Sequence, residues 1–412
     1  MRHLEWIARD RLNKFRDQLR KVESAEFLNN STSVALRSIE NEIDKLEKTI
    51  DELSKLSSAK YLFQHGVTIN QKLFSYSNAL GVLLRSTNLR NAFEAYFAFN
   101  QMAANVIDQQ DRLIISSEWD AIPFYIPSPP DALASFVIIG IPAFASRNSL
   151  LLPLAAHELG HAVWRIKQLD GPLSTTAEMH FHDYIDQNSD RFRTDFNLHE
   201  NLFVQQETDL IESECLKLVS SQSEEIFCDF FGSLLFGESY LYAFDAFLSP
   251  GFGRREPRYP ALGRRAAYLK RAALSDPKSL RKGVLNPEYF ELADGIPSRS
   301  AIVKLADEVS EKLEPGLLEQ ARRYANEARA ELEGGDNADT MMMNLRAGIP
   351  PDQPRSAVEI LNAIWKVYFE RLDQETSAVG RTNIHSSMNN LCLKSLEIYE
   401  YRYRQRNGWS TK

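Results

Sequence analysis

Residues 155–163 read Ala-Ala-His-Glu-Leu-Gly-His-Ala-Val. On a helix, His157 and His161 lie one turn apart on the same face, because they are four residues apart. Their ring nitrogens can then converge on one Zn²⁺, and Glu158 beside them can take a proton from a water bound to the metal. The alternative interpretation is a buried helix with two hydrogen-bonded histidines and no metal.

The flanking residues favour a helix at this place. Asn148 or Ser149 can cap it, and Pro153 falls early enough to be tolerated. Apolar residues continue the segment to Trp164. The pattern therefore predicts a buried helix that carries the two histidines.

The segment resembles the metal-binding helix of the gluzincin group of zinc metallopeptidases. The resemblance implies a third ligand, a glutamate on a following helix, with an aspartate four residues beyond it. Glu225 and Asp229 supply that pair, so Glu225 would bind zinc and Asp229 would orient His157. A carboxylate that accepts the second N–H of a zinc-bound imidazole fixes the tautomer of the ring. Glu224 is the nearest rival to Glu225, but the residue four positions beyond it is Cys228.

Other histidines compete for the place of third ligand. The metzincin pattern fails, since Lys167 stands where it requires a histidine. His180 and His182 could bind metal if they alternate on a strand, and His199-Glu200 lies further along. Such a histidine pair is more often a surface or loop feature.

A basic segment follows the second ligand helix. Tyr259-Pro260 and Arg264 look like the His-Pro…Arg segment of several intracellular gluzincins, with Tyr in place of His. The resemblance implies a hydrogen-bond donor to the tetrahedral oxyanion. Tyr259 is therefore the candidate catalytic residue beside Glu158, with Arg258 and Arg264 as alternatives.

This basic segment also has simpler interpretations. A solvated basic turn that starts a helix is the favoured one for Arg254 and Arg255. An RNA-binding patch is a further one, but no interleaved exposed aromatics or fold signature support it.

Composition limits the function classes. The chain has 412 residues, 43% of them hydrophobic, and a net charge of −8, which favours neither nucleic acid nor anionic lipid as a partner. Its three cysteines, Cys215, Cys228 and Cys392, are scattered and read as reduced thiols. No apolar signal segment or membrane span is visible, so a soluble cytoplasmic protein is expected, with its oligomeric state open.

The pattern of apolar residues predicts a mainly α fold with a small β-sheet. Residues 1–105 form a helical region that begins with a helical hairpin, whose second helix has a seam at Leu36, Ile39 and Ile43. Residues 106–275 form a zincin-like catalytic core (α+β), and residues 276–412 form a C-terminal helical region.

Three short β-rich runs precede the histidine helix, at residues 112–117, 122–126 and 136–142. In the resembled family the edge strand of a small sheet pairs with extended substrate, and 136–142 sits at the corresponding place. The alternative is a buried structural strand that never meets substrate.

These features together predict a zinc metallopeptidase, a hydrolase that cleaves a protein or peptide substrate. Zinc on His157, His161 and Glu225 would activate a water, and Glu158 would act as general base. The alternative from another class is a non-catalytic, zinc-stabilised scaffold or sensor module that binds a protein partner through its helical regions. A zinc enzyme acting on a non-peptide amide is a third possibility.

Overall fold

The computed structural model describes residues 2–27, 30–53, 59–87, 91–107, 112–120, 122–198, 204–248, 255–273, 280–286, 300–329 and 338–407. Helices make up most of these residues, and a three-stranded sheet accompanies them. The predicted fold class, mainly α with a small β-sheet, is confirmed.

The chain forms two compact units, 1–104 with 108–149 and 105–107 with 150–412. The sequence predicts a division of the chain at residues 105 and 275 into regions with different expected functions, and this division stays a prediction. The elements up to residue 149 are α1 (Arg2–Glu23), α2 (Asn30–Leu53), α3 (Ala59–Arg85), α4 (Phe93–Ile107), β1 (Leu113–Glu118), β2 (Phe124–Tyr125), a 3₁₀ turn (Asp131–Leu133) and β3 (Val137–Pro142).

The remaining elements begin with a 3₁₀ helix (Ser149–Leu154). It is followed by α5 (Ala155–Ile166), α6 (Asp170–Gln187), α7 (Ser189–Asp195), α8 (Val204–Phe236), α9 (Glu238–Leu248), α10 (Leu262–Ala273), α11 (Ala301–Ala328), α12 (Ala338–Arg346), α13 (Ala357–Gln374) and α14 (Ala378–Asn407).

The core of the first unit is built on the apolar seams of its helices. Leu36, Ile39 and Ile43 of α2 are each at most 2% exposed, and they share one cluster with residues of α1, α3 and the sheet. Full burial of one such side chain stabilises the fold by about 1.5–3 kcal/mol relative to its exposure. The seam read from the sequence is thus the contact surface of α2.

The sheet has the strand order β1-β3-β2. β1 and β3 are parallel, from Leu113 opposite Val137 to Glu118 opposite Pro142, and β2 pairs antiparallel to the other side of β3. β3 is therefore the central strand of the described sheet, and the expectation that 136–142 forms an edge strand for substrate is wrong. Its run of β-branched residues is typical of a strand that is buried on both faces.

The second unit is organised around α8, the longest helix that the structure describes. Its second half is buried on several sides, at Ile226, Phe227, Phe230 and Phe231. A helix that is apolar all round has to be covered on all sides, and α5, α6, α10 and α11 pack against it. Glu224, Glu225 and Asp229 of α8 are thereby brought against α5. No helix of the described part of the chain is long and apolar enough to cross a membrane.

Candidate metal centre

α5 presents both histidines of the 155–163 segment on one side. The 3₁₀ helix leads directly into it, so Ser149 begins that helix instead of capping α5. The ring centroids of His157 and His161 are 5.0 Å apart. The other side of α5 is buried, at Ala155, Ala156, Leu159, Gly160, Ala162 and Val163. Because these apolar residues are buried, the rotation of the helix about its axis is fixed, and both histidines lie on its other side.

α8 passes close to α5 at Gly160. A Cβ atom at this position would lie 2.9 Å from the Cα atom of Cys228, closer than two non-bonded carbons can pack. The absent side chain therefore lets the two backbones approach, and it brings Glu224, Glu225 and Asp229 within reach of the histidines.

The two imidazoles point their Nε2 atoms at one carboxylate. Nε2 of His157 lies 3.2 Å from Oε2 of Glu225, and Nε2 of His161 lies 3.8 Å from Oε1. Two ligand atoms at about 2.1 Å from a tetrahedral Zn²⁺ lie roughly 3.4 Å apart. Each Nε2 atom thus lies from one oxygen of Glu225 at about the separation that two ligand atoms of one metal ion have.

Each histidine has its own second carboxylate on its Nδ1 side. Nδ1 of His157 lies 3.0 Å from Oδ1 of Asp229, and Nδ1 of His161 lies 2.7 Å from Oε1 of Glu224. Sequence reasoning paired Asp229 with His157 and treated Glu224 only as a rival ligand. The structure places Glu224 behind His161, which would hold that ring with Nδ1 protonated and Nε2 available.

Glu225 has one buried carboxylate oxygen that a bound metal ion would supply with a partner. Its Oε2 is buried and has no hydrogen-bond partner among the described residues, and it lies 3.2 Å from Nε2 of His157. Burial raises the pKa of Glu225, but His157, His161 and Arg265 outweigh it and lower the pKa overall. A buried carboxylate that stays ionised without a directed partner is costly, so these residues fit a bound cation.

Cys228 is a further possible donor. One atom each of His157, His161 and Cys228 lie within 4.8 Å of one another, which makes them a possible metal-binding group. Burial and then the charge of Glu225 raise the pKa of the Cys228 thiol well above its usual range. A thiol binds metal as the thiolate, so Cys228 would lose its proton on binding a metal, whereas Glu225 is already ionised.

Asp229 is held by residues that sequence reasoning missed. Arg265 donates to both of its oxygens, from Nε to Oδ2 at 2.6 Å and from Nη2 to Oδ1 at 2.9 Å, and the Tyr240 hydroxyl donates to Oδ1 at 3.2 Å. Burial raises the pKa of Asp229, but Arg265 overcomes this and holds it well below its usual range. Gly232 makes room for Tyr240, since a Cβ there would lie 2.3 Å from the tyrosine ring. The only available signal was the Arg264-Arg265 pair, which does not show which arginine faces inward.

Glu158 is a buried acid next to this cluster, with 6% of its surface exposed. Burial raises its pKa, and the nearby charges of His157 and His161 partly oppose the rise. A carboxylate whose pKa is raised holds a proton more readily than an exposed glutamate does.

Tyr259 lies in the turn before α10, near the same cluster. Its ring centroid is 5.7 Å from the Arg265 guanidinium and 4.7 Å from that of Arg258. Burial and the negative charge of Glu225 raise its pKa to about 12, so the hydroxyl keeps its proton at neutral pH. Arg258 itself is exposed and pairs with Glu256.

The other arginines of the segment point elsewhere. Arg264 donates to the backbone oxygen of Asp307 and pairs with Glu311, so its side chain is directed to α11. Arg255 was expected in a solvated turn, but its side chain is 10% exposed and is ion-paired with Asp307. Arg254 lies outside the described residues.

The histidine pair downstream does not form a strand, contrary to the alternating geometry considered for it. His180 and His182 are on α6, where residues two apart point to different sides. His182 pairs with Glu212 at 3.2 Å and His180 with Asp183 at 3.8 Å. Residues 199–200 lie outside the described part of the chain.

Comparisons with models of known protein families, with curated proteins and with solved structures found no match.

Gly160→Ala is expected to lower the free energy of unfolding by about 1–3 kcal/mol, because the added methyl group overpacks the contact with Cys228. Gly171→Ala in α6 is the matched control. A Cβ there meets nothing within 4 Å, so this change should stabilise the protein by about 0.4–1 kcal/mol. Urea unfolding of both variants checks this, and equal effects would contradict the close helix contact.

The stability of the metal-free protein should fall as pH rises from about 6.5 to about 10. Burial lowers the pKa of His157, but the adjacent carboxylates of Asp229 and Glu225 raise it overall to about 10. The stabilisation is fully present below the unfolded-state pKa and is lost as pH rises through the folded-state pKa. The depressed pKa of Asp229 contributes no change in this window, since its stabilisation is lost only on acidification.

The measurement is the Tm of EDTA-treated protein at pH 6 and pH 9. His157→Gln should show a smaller drop between the two values than wild type. The same drop in both proteins would show that His157 does not carry this dependence.

Proposed function

We propose that the protein is a zinc-dependent metallopeptidase, with Zn²⁺ held by His157, His161 and Glu225. One observation carries this proposal. Nε2 of His157 faces Oε2 of the ionised Glu225, which has no hydrogen-bond partner among the described residues, and Nε2 of His161 faces Oε1. Each Nδ1 is engaged by a separate carboxylate. A purely hydrogen-bonded cluster would not leave the central carboxylate oxygen unsatisfied.

Zn²⁺ held by His157, His161 and Glu225 would supply Lewis-acid polarisation of a carbonyl and would acidify a water. The other steps belong to the chain. Glu158 takes the proton of the attacking water and passes it to the departing amine, a role that its raised pKa favours.

Asp229 and Glu224 support the ligands from behind. With Arg265 on its other side, Asp229 remains ionised and accepts from the Nδ1–H of His157. This fixes the tautomer that leaves Nε2 as the donor to a metal. Glu224 does the same for His161.

Tyr259 is the proposed donor to the oxyanion of the tetrahedral intermediate. Its hydroxyl remains protonated at neutral pH, and one such donor is worth about 3–4 kcal/mol in the transition state. Tyr259→Phe should therefore lower kcat by about 10²–10³-fold and leave zinc binding unchanged. Unchanged kcat would remove Tyr259 from the mechanism.

A peptide-library digest tests the proposed activity. The purified chain is stripped of metal, reloaded with zinc and incubated with a mixture of proteome-derived peptides, and new termini are identified by mass spectrometry. We expect zinc-dependent cleavage, with the stripped protein as control. Stoichiometric zinc without any cleavage would overturn the peptidase proposal and favour the zinc-stabilised scaffold.

A further inference from the structure

The turn that carries Tyr259 is held by the side chain of Arg255. Nε of Arg255 donates to the backbone oxygen of Tyr259 at 2.8 Å, and Nη1 donates to Oδ2 of Asp307 at 2.9 Å. Its Nη2 donates to the other oxygen of Asp307. All three nitrogens of the guanidinium are therefore used, in a group that is only 10% exposed.

A second backbone oxygen of the same turn is held in a similar way. Nε2 of Gln222 donates to the oxygen of Pro257 at 3.1 Å, and its Oε1 accepts from the hydroxyl of Ser310 at 3.0 Å. Gln222 and Ser310 are both buried. Asp307 and Ser310 are three residues apart on α11 and so lie on one face of that helix. α11 thus anchors both side chains that hold the turn.

This turn sets where the Tyr259 ring lies. The ring is 5.7 Å from the guanidinium of Arg265, and Nη2 of Arg265 is 3.9 Å from Oε2 of Glu225. A tyrosine side chain has only two rotatable bonds before the ring, so the position of its backbone decides what its hydroxyl can reach.

We infer that Arg255 is a positioning residue, which holds the backbone of Tyr259 so that its hydroxyl lies beside the metal centre. The inference rests on the proposed function for its catalytic meaning. The fork of a guanidinium can bind the Asp307 carboxylate with two nitrogens and the Tyr259 carbonyl with the third. A lysine has one nitrogen and cannot make this set of bonds.

The test is a spectroscopic reading of Tyr259 in the full chain. Tyr259 is replaced by 3-fluorotyrosine, and its ¹⁹F resonance is recorded in metal-stripped and zinc-loaded protein. Arg255→Lys, which keeps the charge that faces Asp307, should move the resonance at least halfway toward that of the unfolded chain. Zinc content should stay the same, because Arg255 touches no proposed ligand.

Arg271→Gln is the matched control. Arg271 also joins α10 to α11, through Glu314 at 2.6 Å, and its loss should leave the resonance unchanged. If Arg255→Lys does not fold, Asp307→Asn gives the same reading, since Arg255 then loses the carboxylate that orients it. An unmoved resonance in whichever of these variants folds would overturn the inference. Absence of zinc binding in wild type would instead overturn the proposed function and leave the resonance comparison valid.

Discussion

Glu158→Gln is expected to abolish most hydrolysis while the protein keeps its fold and its zinc. The substitution removes the proposed base and leaves His157, His161 and Glu225 in place. Loss of a general base lowers kcat by about 10²–10⁴-fold. Glutamine is also neutral, so the change removes a buried carboxylate with a raised pKa and should not destabilise the protein.

The measurement is a comparison of cleaved termini in cells that express wild type or Glu158→Gln, followed by kcat on the peptides so identified. Glu319→Gln, at an exposed position of α11, is the matched control and should behave as wild type. An equal rate for Glu158→Gln on an authentic substrate would rule out Glu158 as the base.

Removal of a proposed ligand is expected to have the second large effect, on metal content. Wild type should carry about one zinc per chain, and His157→Ala, His161→Ala or Glu225→Ala should reduce this nearly to zero after dialysis. A bound metal stabilises the folded state by RT ln(1 + [L]/Kd), about 4 kcal/mol at a thousandfold excess over Kd. The Tm should therefore fall with the metal content.

Neighbouring substitutions on α8 make this prediction specific. Glu224→Ala removes only the acceptor behind His161, so zinc affinity should fall by about 10–100-fold without loss of the site. Cys228→Ser should change affinity little, because the proposed third ligand is Glu225. Greater loss from Cys228→Ser than from Glu225→Ala would make Cys228 the third ligand. Metal analysis by mass spectrometry, with and without competing chelator, separates these outcomes.

Much of the fold could be predicted from the sequence, because the spacing of apolar residues shows which side of a helix or strand is buried. The seam of α2 and the apolar residues of α5 are spaced as a helix needs, and the structure buries them. The three β-rich runs likewise became β1, β2 and β3. Strand order was not readable, since it depends on pairing between segments, and β3 proved central instead of an edge.

The residues that surround the candidate site could be predicted from the sequence only in part. The resemblance to the gluzincins predicted that Asp229 lies behind His157, and the structure pairs these two side chains. Arg265 and Tyr240 come from α10 and α9, and only the packing of those helices on α8 brings them to Asp229. Arg255 looked like a surface arginine, because the sequence does not show that Asp307 lies opposite it.

The sequence by itself determined that His157 and His161 would share one face of a buried helix, because a spacing of four residues is close to one turn of 3.6 residues. It also determined that Glu225 and Asp229 would share a face of another helix. Only the tertiary structure decided that these two faces meet, since that depends on the close approach of α5 and α8 at Gly160. It likewise decided which of two adjacent arginines faces the cluster, because consecutive helix positions differ by about 100° and packing alone selects between them.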